Sequence, residues 1–423
     1  MREMKDSGVE WIGEIPKEWK IDKIKYHLKR NEPKNHGNAI VLSVYRDYGV
    51  IPKDSRDDNH NVTSEDTSKY KYVKKGQLVI NKMKAWQGSL AVSDYNGIVS
   101  PAYFIYDFTD EEYNHKYFHY LVRSCYKEEF KRISGGIREG QWDLSPEAFA
   151  NTLALLPPLV EQKYIANYLD IQCSEIDATA EDIQKEISLL EEYKKSVITE
   201  AVTKGLNPDA EMKDSGIAWI GKIPINWQAV NPRWLFAQRK DRAKKGMEQY
   251  TASQKYGVIS QKDYMNRIGG SIVTVQKDFD ILKMVCEGDF VIHMRSFQGG
   301  LEYSKHTGSI SSAYVMLIPQ KKTGECRYFK WLFKSASYIN ALQSTSNLIR
   351  DGQAMRYSNF IQIIIPYPPL DEQQQIADYL DSKCSEIDAI IADKKRQRGI
   401  LAEYKKSLIY EYVTGKKEVP INE

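Results

Sequence analysis

The two halves of this chain repeat each other, and no other feature restricts its fold so strongly. The motif Met4-Lys5-Asp6-Ser7-Gly8-Val9-Glu10-Trp11-Ile12-Gly13-Glu14-Ile15-Pro16 returns as Met212-Lys213-Asp214-Ser215-Gly216-Ile217-Ala218-Trp219-Ile220-Gly221-Lys222-Ile223-Pro224. The stretch from Pro157 to Gly205 returns as Pro368 to Lys416, with 27 of 49 positions identical. The separations are 208 and 211 residues, half of a 423-residue chain. A tandem duplication of this period predicts two similar bodies with internal pseudo-two-fold symmetry. Such a protein suits something gripped at two similar ends, as duplex DNA can be.

The second repeated block has the pattern of a long helix. From Glu161 to Lys204 there is neither Gly nor Pro. Its apolar positions, Leu169, Cys173, Ile176, Ala180, Ile183, Ile187, Leu190, Val197 and Ala201, alternate spacings of four and three, interrupted at Lys194. That is the a/d seam of a coiled coil. As one helix the segment would be roughly 60 Å long, and Gly205 with Pro208 would stop it. The copy, from about Glu372 to Thr414, places Leu380, Cys384, Ile387, Ile391, Leu401, Leu408 and Tyr412 on its seam, interrupted by Lys394 and Arg398. Apolar stripes of this length need cover. The simplest cover is the other helix, and the duplication favours an antiparallel pair.

The remaining sequence reads as two α+β heads. Leu78-Val79-Ile80 and Tyr103-Phe104-Ile105-Tyr106 suit strands, and Tyr113 to Arg132 suits a helix. Phe290-Val291-Ile292 and Val315-Met316-Leu317-Ile318 suit strands in the second head. The predicted segments are residues 1–156, a first head with its opening motif; 157–208, a spacer helix; 209–367, a second head; and 368–423, a second spacer helix with its tail. Between the heads only echoes survive, such as Tyr48-Gly49-Val50-Ile51 with Tyr256-Gly257-Val258-Ile259 and Trp86-Gln87-Gly88 with Phe297-Gln298-Gly299. The frame is copied and the heads have diverged.

Composition excludes several classes. A hydrophobic content of 42% argues against a disordered chain. No apolar run reaches the roughly 18–20 residues that cross a bilayer. The charged start, Met1 to Asp6, lacks a signal peptide's apolar stretch. Five cysteines, odd in number and without a CxxC pair, indicate neither a disulfide framework nor a zinc site. A cytoplasmic protein is expected. The net charge of +3 leaves DNA binding open without demanding it. There is no GxxxxGK[ST] phosphate loop and no Asn-Pro-Pro-Tyr or Asp-Pro-Pro-Tyr box. His115 and His119 lie four apart with no third ligand in view, so no metal site is expected. Cys173 and Cys384 read as small packing residues.

Taken together, the motifs resemble the specificity subunit of type I DNA restriction–modification systems. The resemblance rests on the Met-Lys-Asp-Ser-Gly opening motif with Trp-Ile-Gly and Ile-Pro, on both Pro-Pro-Leu-x-Glu-Gln helix starts, and on Glu-Tyr-Lys-Lys-Ser at 192–196 and 403–407. The link Thr203-Lys204-Gly205-Leu206-Asn207-Pro208 belongs to it too. It implies two target-recognition domains, each reading one half of a bipartite DNA sequence, and a coiled-coil spacer. It implies a heteromeric complex with two modification subunits, which carry S-adenosylmethionine and methylate adenine N6. Restriction subunits would add translocation and cleavage driven by ATP with Mg. This chain would hold no cofactor and catalyse nothing itself. Two other readings stay open: the specificity subunit of a related system with a fused methyltransferase–nuclease partner, and a coiled-coil scaffold whose heads bind proteins.

Base reading in a major groove needs Arg, Lys, Asn or Gln at loop or element ends, with cations for phosphates around them. In the first head Lys82, Lys84, Trp86 and Gln87 follow a predicted strand. Their counterparts are Arg295, Phe297 and Gln298. The alternative is that Trp86 and Phe297 are core and the cations merely solvated. A second candidate is Arg138 with Gln141 after a Gly pair, echoed by Arg350 and Gln353. Tyr45-Arg46 and Arg239-Lys240 are weaker candidates. Glu191, Glu192, Lys194 and Lys195 flank the helical seam as a solvated face or a docking face for partner subunits. Two heads about one duplex turn apart, roughly 34 Å, would read two short words around an unread gap.

Overall fold

A computed structural model describes residues 2–34, 39–46, 48–55, 66–136, 142–270, 281–345 and 355–420. The chain forms two compact units, Met1–Ile183 with Arg396–Glu423, and Gln184–Lys395. The division passes through both long helices, so each unit holds the start of one and the end of the other. The segments read from sequence set helices apart from heads, whereas the contacts give each head its share of both helices.

In the first unit a four-stranded antiparallel sheet runs in the order Leu28–Arg30, Tyr103–Phe108, Leu78–Asn81, Leu90–Val92. Successive residues of a strand face opposite sides. Leu78, Ile80, Leu90 and Tyr106 enter a large core with Tyr117, Phe118, Leu121 and Phe130. Val79, Ala91 and Ile105 enter a smaller core against the hairpin formed by Leu42–Tyr45 and Gly49–Pro52. Cover on both faces is why Leu78-Val79-Ile80 is continuously apolar. The single helix expected over 113–132 is instead two, His115–Ser124 and Lys127–Ile133. The turn at Cys125-Tyr126 lets Leu121 and Phe130 reach one core, and it buries Tyr126 edge-on against Trp11 at 4.6 Å between centroids.

The second unit repeats the plan. Its sheet order is Phe236–Gln238, Val315–Pro319, Phe290–Ile292, Glu302–Tyr303, beside a hairpin of Tyr250–Ser253 and Gly257–Ser260. Phe236, Phe290, Phe329, Phe333 and Phe360 form its aromatic centre.

The long helices are Leu159–Lys204 and Leu370–Val413, of 46 and 44 residues. Each starts just after its Pro-Pro pair, where proline's fixed φ suits a helix start. The repeated Glu-Gln ties each start to its unit. Buried Trp19 donates its indole N–H to Glu161 at 2.9 Å, and buried Trp227 donates to Glu372 at 2.6 Å. The Gln162 amide donates to the Pro157 and Glu112 carbonyls and accepts from the Asn114 N–H. Gln373 donates to the Pro368 carbonyl and accepts from the Glu325 N–H. Helix ends are held as well: Tyr117 donates its hydroxyl to the Val413 carbonyl at 3.0 Å, and Tyr328 to the Val202 carbonyl at 2.9 Å.

Within each unit the two helix portions run antiparallel. Lys405 pairs with Asp177 in the first unit and Lys194 with Asp388 in the second, each at 2.6 Å. These are the same two positions of the repeat with the helices exchanged, 405 − 194 = 211 and 388 − 177 = 211. Lys194 therefore carries the cross-helix ion pair at the place where the seam is interrupted, and Lys394 reaches Glu186 likewise. Leu169, Ile176 and Leu408 are buried in the first unit, with Cys173; Ile187, Leu380, Ile387 and Ile391 are buried in the second, with Cys384. Ile183, Leu190, Val197 and Leu401 are half-buried. Among the described residues no helix is long and apolar enough to cross a membrane.

Candidate nucleic-acid interface

In the first unit the strand Leu78–Asn81 runs into Lys82, Met83 and Lys84 and then one 3-10 turn, Ala85–Gln87. Ala85 is buried and anchors the turn, and Gly88 closes it at φ +92°, a conformation open to glycine. Lys84 is exposed, whereas Lys82, Trp86 and Gln87 are half-buried. Trp86 is neither core nor free: its indole N–H donates to the Met83 carbonyl at 3.0 Å, and its ring meets Trp142 edge-on at 5.5 Å.

The structure joins this loop to the flanks of the second candidate segment. Lys82 pairs with Asp143 at 2.9 Å, and its carbonyl accepts the Leu144 N–H at 3.0 Å. Asp143 bridges back to Gly135. Arg138 and Gln141 themselves lie outside the described residues. A third piece comes from the hairpin turn. The Arg46 side chain lies against Gly88, with its Cγ 3.8 Å from where a Cβ on Gly88 would stand.

The second unit repeats the loop and the hairpin turn, and braces the loop from a helix as well. After Phe290–Ile292 the chain turns through His293 to Arg295 into the helical turn Ser296–Gly299, whose start is fixed by the His293 N–H donating to the Ser296 hydroxyl at 2.9 Å. Arg295 and Gln298 are exposed and Phe297 is half-buried. Gln254, at the hairpin position equivalent to Arg46, donates to the Arg295 carbonyl at 3.0 Å. Gln343, from the helix Ala336–Ser344, donates to the Phe297 carbonyl at 2.6 Å. Arg350 and Gln353 lie outside the described residues. Across the units Arg46 is replaced by Gln254, Lys84 by Arg295 and Trp86 by Phe297, while Gln87 and Gln298 match.

One sequence candidate is removed. Arg239 is held by bidentate bonds to Asp289 at 2.7 and 2.8 Å, and Asp289 is 1% exposed. That bond holds the guanidinium above its usual pKa. It is a structural ion pair and not a solvated cation free to meet a phosphate.

Sequence reasoning also missed a cluster in the first unit. Buried His27 has Asp110 at 3.0 Å and Glu112 at 3.6 Å from Nδ1, and Asp22 at 3.4 Å from Nε2. The group spans residues 22 to 112, so no short spacing announces it. Nδ1 is hydrogen-bonded to Asp110, whereas buried Nε2 has Asp22 at ion-pair distance and no hydrogen bond. His115 and His119 join no such group among the described residues. Burial and Arg123 push the His119 pKa down to about 3, so its imidazole is neutral.

These two surfaces can present cations, amides and an aromatic edge to a polyanion, with different side chains on a common scaffold. Residues 225–397 match the family model described as the type I restriction modification DNA specificity domain. The chain is 23% identical over 428 residues to the type I restriction enzyme MjaVIII specificity subunit of Methanocaldococcus jannaschii, covering 96% of this chain and 94% of that one. In fold it is similar to a chain solved in work on complex assembly and conformational transition of the type I R-M system, with TM-score 0.69, 13% identity, and 95% and 99% of the two chains covered. It is also similar to the HsdS subunit from Thermoanaerobacter tengcongensis, with TM-score 0.53, 14% identity, and 97% and 100% covered.

Proposed function

We propose that this chain, which belongs to the family of type I restriction–modification specificity subunits, reads an asymmetric bipartite DNA site, one half with each unit. The observation that carries this is the recurrence on both units of a loop after a central strand, braced by the turn of the neighbouring hairpin, with different side chains at matching positions of the repeat. A copied scaffold fixes where a groove is met, and altered side chains change which bases suit it.

The long helices would dock two adenine-N6 methyltransferase subunits and, with them, restriction subunits. Tyr164, Ile171, Leu189 and Ile400 support this, because they leave large apolar side chains 63%, 59%, 64% and 61% exposed on the copied frame. Catalysis would then reside in those partners, with S-adenosylmethionine in the modification subunits and ATP with Mg in the restriction subunits. The role of this chain is recognition and placement in the cytoplasm, where the DNA is.

Single-molecule methylome sequencing of cells expressing the full system tests the reading. A methylated-adenine motif made of two different words around a fixed gap, lost when this gene is deleted, is expected. A methylome with no bipartite motif attributable to this chain would overturn it.

A further inference from the structure

The units part company directly after their hairpins. In the first, the strand Gly49–Pro52 leads into one 3-10 turn, Lys53–Ser55. In the second, Ser260 stands 208 residues beyond Pro52, at the same place in the repeat. Its hydroxyl accepts the Asp263 N–H at 3.1 Å and caps a helix, Gln261–Ile268, which Gly269 closes at φ +64°. A serine cap satisfies an N–H that proline has no side-chain oxygen to meet.

None of the eight residues of this helix is buried. Lys262, Asp263, Asn266, Arg267 and Ile268 are exposed. A helix ordered at an entropic cost without contributing to a core points to a partner outside the chain. Its surroundings are basic. Arg267 and Lys255 both lie over the Tyr256 ring, each at 5.1 Å from its centroid, and Tyr264 meets the same ring edge-on at 6.2 Å. Gln254, two residues before Tyr256, is bonded to the Arg295 carbonyl, so the helix and the interface loop share one hairpin turn. Lys262 and Arg267 on the helix, with Lys255 and Arg295 on the adjoining turn and loop, are opposed by only Asp263 on the helix itself.

We infer that the helix Gln261–Ile268 is a base-reading element for the half-site of the second unit, entering the major groove of duplex DNA with Lys262 and Asn266 toward the base edges. This rests on the recognition role proposed above. An α-helix with its side chains is roughly 10–12 Å across, which fits a major groove about 12 Å wide. Lys262 and Asn266 are four residues apart and share a face. An asparagine amide can pair with both adenine edge atoms, and a lysine can donate to guanine O6 and N7. Arg267, stacked on Tyr256, serves a neighbouring phosphate. In the first unit the hairpin leads instead into the 3-10 turn Lys53–Ser55.

The test replaces the chromosomal allele with Asn266→Ala, and separately with the near-isosteric Asn266→Asp, and reads the methylated-adenine motif by single-molecule sequencing. Relaxed discrimination of roughly tenfold or more at one or two positions of a single half-site is expected for Asn266→Ala, and a changed base at the same position for Asn266→Asp. The other half-site and the gap should stay as they were. An unchanged motif in both variants would overturn the helix as a reader while leaving the two-word reading intact. Uniformly reduced methylation with the motif preserved would also overturn it, since that is the signature of a phosphate or assembly contact. A parent strain with no bipartite motif would instead remove the reading on which the inference rests.

Discussion

Glu161 and Glu372 do the same work in the two units, and each does it for a tryptophan well over a hundred residues away. Trp227 is fully buried and its indole N–H has Glu372 as acceptor. Glu372→Ala should destabilise the chain by about 1–3 kcal/mol, because a buried donor is left unmatched. Glu372→Gln, which keeps an acceptor, should restore most of the loss in chemical denaturation. Equal losses in both variants would mean that charge, and not the hydrogen bond, matters. A second prediction concerns His119, whose pKa falls from 6.5 to about 3 through burial and the neighbouring Arg123. Above pH 6.5 the imidazole is neutral in folded and unfolded chain alike and adds nothing to pH dependence. Below it, the unfolded chain takes up a proton that the folded chain refuses, so stability falls from about pH 6.5 toward about pH 3. His119→Gln should flatten that part of the stability profile, and identical acid slopes in the two proteins would refute the assignment.

The helix pair mixes strong and weak contacts, and burial separates them. Lys405–Asp177 and Lys194–Asp388 are short, yet Asp177 is 64% and Asp388 59% exposed at the side chain. Exposed pairs contribute roughly 0–1 kcal/mol, so Lys405→Ala should barely move the unfolding midpoint. Ile387, at 3% exposed, should lose about 2–5 kcal/mol on truncation to alanine. A double-mutant cycle on Lys405 and Asp177 would isolate the pair, and a coupling above about 1 kcal/mol would contradict this ranking. The helices were legible because a seam repeats every three to four residues along a local stretch. The broken helix at Cys125-Tyr126 was not read, because 113–132 holds neither Gly nor Pro to mark a stop. Its sign is the five-residue step from Leu121 to Tyr126, which would set the two on opposite faces of one continuous helix, and the break brings both into one core.

For the whole molecule, binding to DNA should carry the salt dependence of a polyelectrolyte contact. The logarithm of affinity should fall linearly with the logarithm of salt, and each cation removed from a phosphate should reduce the slope by roughly 0.9. Titrating Lys84→Gln against a duplex bearing both words, over a salt series, checks this: a shallower slope with unchanged base preference is expected, and an unchanged slope would take Lys84 off the backbone. The sequence by itself determined the duplication, the long helices, the apolar strand centres and the motifs that resemble a specificity subunit, since all of these are local patterns or direct repeats. It also named Lys84, Trp86, Arg295 and Gln298, whose chemistry stands at a strand end. What only the tertiary structure decided is which distant pieces meet. It bonds Gln254 to the Arg295 loop and pairs Lys82 with Asp143. It withdraws Arg239 into an ion pair with Asp289, and it turns the seam-breaking Lys194 into a link to Asp388. Those outcomes depend on distance and burial between residues far apart in the chain, which charge and spacing along a sequence do not encode.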